Sequence, residues 1–172
     1  MVLENIDLRR AKYYYHNKRA FRRKENIMNT IAPGGAVPGK PDKMFEFKRV
    51  RLNVQGMMAS AREYEALRTK DGVEVSIYDG PWSYNDNITR EDCLQSRRKG
   101  GDKLYYEIAE FFYEIGIEKW DGFCKSNPDV LDGYSFSFEA ETIDGKKISA
   151  RGSNSYPSNY GKFEDYLWGL LH

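Results

Sequence analysis

The chain has 172 residues, of which 40% are hydrophobic and 15% aromatic, enough for one core of ordinary size. Its two cysteines, Cys93 and Cys124, make no disulfide framework and fall in no Cys-x-x-Cys spacing, and its two histidines are His16 and the terminal His172. That composition excludes a Ser-His-Asp or Cys-His nucleophile system and a zinc site, so no catalytic residue, metal or cofactor is assigned.

The net charge of +1 conceals a segregation. Residues 1–43 hold ten Lys/Arg and four Asp/Glu, a surplus of +6, whereas residues 44–172 hold seventeen and twenty-two, a balance of −5. Opposite signs in two parts of one chain imply two surfaces with different partners. No apolar run has the length of a signal-peptide core or a membrane span, so the cytoplasm is the expected compartment, with no membrane partner.

Residues 1–31 form a basic, aromatic arm in which 7–29 are expected to be helical, since neither Gly nor Pro interrupts them before Pro33. Arg9, Arg10, Lys12, Lys18, Arg19, Arg22, Arg23 and Lys24 place eight cations within sixteen residues, interleaved with Tyr13, Tyr14, Tyr15 and Phe21. Cations neutralise phosphates and aromatic rings stack on unpaired bases, so the arm reads as a grip for nucleic acid. Two other readings stand beside it. Ala11, Tyr14, Phe21 and Met28 make a narrow apolar line that would pack on the rest of the chain and leave the cations solvated, and an acidic protein would also attract the arm.

Residues 32–43, with three Pro and three Gly, have linker chemistry. Met44 opens the α+β domain, residues 44–172, and is also an alternative start. From Met44 to Gln55 the residues alternate, with Phe45 and Phe47 in phase, followed after Lys48-Arg49 by Val50, Leu52 and Val54; the one-residue slip predicts a bulge. Asp71-Gly72 between runs 62–70 and 73–79 predicts a hairpin. The stretch 80–101 is polar and turn-rich, and its Arg97, Arg98 and Lys99 join the candidate binding residues. Leu104, Ile108, Phe111, Phe112 and Ile115 lie on one helical stripe, with Asp102 placed to cap its start and Gly116 its end. Tyr134, Phe136, Phe138 and Ala140 alternate with Ser135, Ser137, Glu139 and Glu141 in the clearest strand; Asp144-Gly145 turns it, Lys147-Ile148-Ser149-Ala150 returns, and a closing helix carries Tyr160, Phe163, Tyr166, Leu167, Leu170 and Leu171.

Gly56-Met57-Met58, Trp120, Leu131-Asp132-Gly133, Phe136, Gly152-Ser153-Asn154 and Pro157 together resemble a pattern of small uncharacterised bacterial domains. The resemblance spans roughly the last two-thirds of the chain, leaves out the arm, and implies a fold without an activity. Gly152-Ser153-Asn154-Ser155-Tyr156-Pro157 itself has two readings: amides ahead of a helix that hold an anion, or, more simply, glycine freedom and local Ser/Asn hydrogen bonds before a helix start.

The expected architecture is α+β: an antiparallel sheet of about four to five strands with two helices packed on one face, preceded by the basic helical arm. The expected function is non-enzymatic, a binding or inhibitory protein acting on nucleic acid or a nucleoprotein complex. Phage and mobile-element inhibitors such as anti-CRISPR proteins, which act on RNA-guided nucleases, share this two-signed style. One alternative is an interaction module whose arm docks an acidic protein. The other is a Mg²⁺-dependent nuclease using Glu139 and Glu141, which share the outward face of a strand.

Overall fold

The chain divides into two units, Met1–Pro38 and Gly39–His172. The computed structural model describes residues 40–56, 61–80, 88–130 and 133–172, all in the second unit. The ten arm candidates, Arg9, Arg10, Lys12, Tyr13, Tyr15, Lys18, Arg19, Arg22, Arg23 and Lys24, lie outside the described residues.

Among the described residues seven strands form one sheet: β1 Phe47–Gly56, β2 Ala61–Thr69, β3 Gly72–Gly80, β4 Leu94–Gly100, β5 Cys124–Ser126, β6 Tyr134–Thr142 and β7 Lys147–Ser153, in the order β4-β3-β2-β1-β6-β7-β5. Helix α1 spans Asp102–Ile115 and α2 Tyr160–Leu171; short 3₁₀ turns cover Glu91–Cys93 and Ile117–Trp120. All neighbours described are antiparallel except β5 and β7, which run parallel.

The expected antiparallel sheet of four to five strands is therefore corrected to a mixed sheet of seven. The two strands that were not foreseen form its edges. β4 has Gln95, Arg97, Arg98 and Lys99 all exposed, and β5 is three exposed residues long. An edge strand needs no buried face, so neither carries the hydrophobic alternation by which strands are recognised.

Local features follow from identifiable residues. The slip after Phe47 is a register shift against β6, where Phe47 faces Thr142 but Arg49 faces Glu141, and the extra residue returns Val50 and Leu52 to the buried side. Lys70 and Asp71 form the two-residue turn between β2 and β3, and Gly72 follows with φ 141°. A Cβ on Gly72 would lie 2.0 Å from the Gly100 carbonyl oxygen, so only glycine lets β4 come this close. Gly116, with φ 73°, ends α1 as expected of its sequence position. The start of α1 differs: Gly101 is the cap, and Asp102 is the first helical residue, its carboxylate 2.8 Å from Arg68.

Both helices lie on one face of the sheet. Phe47 meets Tyr105 and Phe112, Phe163 meets Phe112, Trp120 and Phe138, and Tyr160 covers Phe136. Full burial of each large apolar side chain contributes about 1.5–3 kcal/mol, so this aromatic seam is the main support of the fold. Tyr105 Oη donates to the Phe47 carbonyl at 3.1 Å and Trp120 Nε1 to the Ser158 carbonyl at 3.0 Å.

The Gly-Ser-Asn segment acts as a clamp. Asn154 has φ 53°; its Oδ1 accepts from the Tyr134 amide at 3.0 Å and its Nδ2 donates to the Val130 carbonyl at 3.1 Å. Gly133 lies so close that a Cβ there would fall 1.5 Å from Asn154 Oδ1. The motif is structural, but not by local bonds: Asn154 reaches residues 20 and 24 positions away, and Gly152, whose φ is not positive, is needed because a Cβ there would lie 2.1 Å from the Ser155 carbonyl oxygen.

Candidate nucleic-acid interface

The pleat sends alternate side chains of each strand away from the helices. On β2, β3 and β4 this second face is an internal charge network. Arg51 Nη2 bonds Glu65 at 3.1 Å; Arg90 reaches over to Glu63 and, at 2.8 Å, to Glu65, its guanidinium 3.8 Å above the Tyr78 ring. Burial opposes the charge on both Glu65 and Arg90. The hydrogen bonds between them, with Glu63 and Arg51 adding to them, outweigh that, holding the Glu65 carboxyl below its ordinary range and Arg90 above its own.

Two of the three candidates of β4, Arg97 and Lys99, belong to the same system, and Arg98 points to the helical side. Arg97 pairs with Glu74 at 3.1 Å and Glu91 at 2.9 Å, and also bonds Ser76 and Tyr78. Lys99 pairs with Glu74 at 3.1 Å while its side chain stays 73% exposed. Arg98 donates to the Leu170 carbonyl at 3.2 Å, and neighbouring Ser96 donates to that of Leu171, so β4 caps the C-terminus of α2. Arg97 and Arg98 are thus committed to internal bonds, and Lys99 extends outward from one.

Glu139 and Glu141 do share the outward face of β6. Glu141 bonds Lys48 at 2.9 Å and faces Lys147 across the β6–β7 pair; Glu139 stands between Arg51 and Ser149. The hydrogen bond from Lys48 lowers the Glu141 carboxyl. Among the described residues no three His, Cys, Asp or Glu side chains come together as a metal-binding set.

The remaining part of this face, on β1, β6, β7 and β5, is differently built. Register places Asn53, Ser137, Arg151 and Cys124 in one row across four strands, and Gln55, Ser135, Ser153 and Ser126 in the next. They line a basin of about 700 Å³. Arg151 Nε donates to Cys124 Sγ at 3.2 Å, and among the described residues it has no carboxylate partner. Comparison of the chain with known protein families, with characterised proteins and with solved structures finds no match.

The sequence pointed to the outward residues of β6. It carried no sign of Asn53, Gln55 or Arg151 as their neighbours. β1 and β6 are about eighty residues apart, and the β5–β7 pairing that brings Cys124 to Arg151 uses a strand with no pattern of its own. No helix among the described residues is long and apolar enough to cross a membrane.

Proposed function

We propose that the protein is a cytoplasmic binding protein for nucleic acid or a nucleoprotein, acting by occupancy and without chemistry of its own. The supporting observation is charge segregation between the two faces of the described domain. The uncovered strands carry Lys48, Arg49, Lys147 and Arg151 on the same surface as two carboxylates, Glu139 and Glu141, so cations are in surplus there. Residues 102–120 and 160–171, the helical layer, hold seven Asp/Glu against three Lys. A cation surplus on an open sheet suits phosphates, and the acidic helical side suits the basic protein component of a nucleoprotein. The eight clustered cations of the arm add to the same balance.

The direct test is anisotropy of labelled single-stranded RNA and DNA with the full chain, titrated at several salt concentrations. Binding that weakens linearly in log affinity against log salt is expected, and it should weaken further when Arg9, Arg10, Arg22 and Arg23 are changed to Gln. Absence of binding at low salt would overturn the reading.

A further inference from the structure

We infer that the basin around Arg151 is a seat for the ribose-phosphate backbone of RNA. The inference rests on the nucleic-acid reading above and names the ligand of that same face. Four features carry it. First, the polar side chains of the basin are unspent: among the described residues Asn53, Gln55, Ser135, Ser137 and Ser153 have no hydrogen-bond partner, in contrast to the bonded network on β2–β4. Second, the basin has one guanidinium, Arg151, without a carboxylate on it, and its planar fork matches a phosphate.

Third, neither row contains an aromatic residue, and the ring that lines the basin among the described residues, Phe136, is 4% exposed and packed on Phe123, Tyr156 and Tyr160, so no open ring is offered to a base there. Contact with sugar and phosphate is what remains. Fourth, serine hydroxyls and Asn/Gln amides both donate and accept, which is the pairing that a ribose 2′-hydroxyl requires and that deoxyribose cannot use. With neighbouring strands about 4.8 Å apart, each four-residue row extends about 14 Å, enough to follow a backbone and not only one group.

The experiment compares 5′-phosphorylated oligouridylate with oligodeoxyuridylate of equal length on the full chain. Affinity is read by anisotropy and contact by NMR shifts of the Asn53 and Gln55 side-chain amides. The expected result is several-fold tighter binding of the ribose form, with both amides shifted. Arg151→Gln should weaken the ribose form about tenfold, the size of one charge-assisted hydrogen bond, and Asn53→Ala with Ser137→Ala should erase the sugar preference. These residues are at least partly exposed, and unchanged thermal unfolding verifies that each variant is folded.

Equal binding of both sugars, unaffected by Arg151→Gln and without amide shifts, overturns the basin while leaving nucleic-acid binding by other residues intact. If neither oligonucleotide binds, the nucleic-acid reading and this inference fall together. A titration with inorganic phosphate then separates a residual anion site, seen as shifts that Arg151→Gln removes, from a basin that binds nothing.

Discussion

At the scale of single residues, two buried tyrosines differ in what their hydroxyls do. Tyr105 donates to the Phe47 carbonyl, where β1 begins, whereas the Tyr160 hydroxyl is buried among aromatic rings without a hydrogen-bond partner. Leaving a buried polar group unpaired costs more than never having it. Tyr105→Phe should therefore lower stability by about 1–2 kcal/mol, while Tyr160→Phe leaves it unchanged or raises it by up to about 1 kcal/mol. Urea midpoints of the two variants check this, and a loss in Tyr160→Phe equal to that in Tyr105→Phe would contradict it.

Glu65 supplies a prediction in pH. Its carboxyl is lower in the folded chain than its unperturbed value of 4.5, because bonds from Arg90 and Arg51 outweigh the effect of burial. A group depressed by folding stabilises above its unfolded value, and that contribution is lost as pH falls through the folded one. Acid destabilisation should thus steepen below about pH 4.5, and Glu65→Gln should flatten that limb at the expense of stability at neutral pH. Tyr64 and Tyr105, raised to about 12 by burial, work in the opposite direction: their contribution is present below pH 10 and is lost as pH climbs toward 12. Thermal unfolding across pH 3–11 reads both limbs.

At the scale of elements, the strands recognised in the sequence are those with one buried face. β6 alternates because its Phe136, Phe138 and Ala140 meet the helices and its intervening residues do not. α1 was legible for the same reason at helical spacing, and Gly116 marked its end because a left-handed residue favours glycine. β4 and β5 were missed because sheet edges are specified by backbone pairing, which is indifferent to side chain.

The Asn154 clamp belongs to this scale, since it joins the loop before β6 to the segment after β7. Asn154→Ala removes two hydrogen bonds and strains a left-handed backbone, for an expected loss of about 2–3 kcal/mol. Asn154→Gly removes the bonds alone and should lose less. Equal losses in chemical denaturation would show that backbone strain has no part in the effect.

At the scale of the whole molecule, the distribution of charge matters more than its sum. The +1 total is the residue of a basic first quarter, a cation surplus on open strands and an acidic helical layer. If Arg49 and Lys147 each touch phosphate, changing both to Gln should reduce the salt slope of single-stranded binding by about 1.4, at ~0.7 per contact. Changing Lys103 and Lys162 of the helical layer should leave that slope unaltered. A like effect from both pairs would mean that net charge alone drives association.

The candidate site was legible only in part. Arg97, Arg98 and Lys99 stand out in the sequence as a cluster, yet Glu74, Glu91 and the α2 carbonyls engage all three. A run of like charges shows where cations are; only spatial neighbours show whether they are already partnered. Arg151, by contrast, is a lone arginine in a short strand, and it matters through the company it keeps.

By itself the sequence determined the α+β character, the bulge after Phe47, the hairpin marked by Asp71-Gly72 (though not that its turn is Lys70-Asp71), the end of α1 and the outward row of β6, because each rests on interactions within a few residues or on one strand's alternation. The tertiary structure decided the number of strands, the parallel β5–β7 pair, the partners of the β4 cations and the meeting of Asn53, Gln55, Ser135, Ser137, Ser153 and Arg151 on one surface. Those outcomes depend on pairings between segments up to about a hundred residues apart, and backbone hydrogen bonds leave no residue-specific trace of which strands they join.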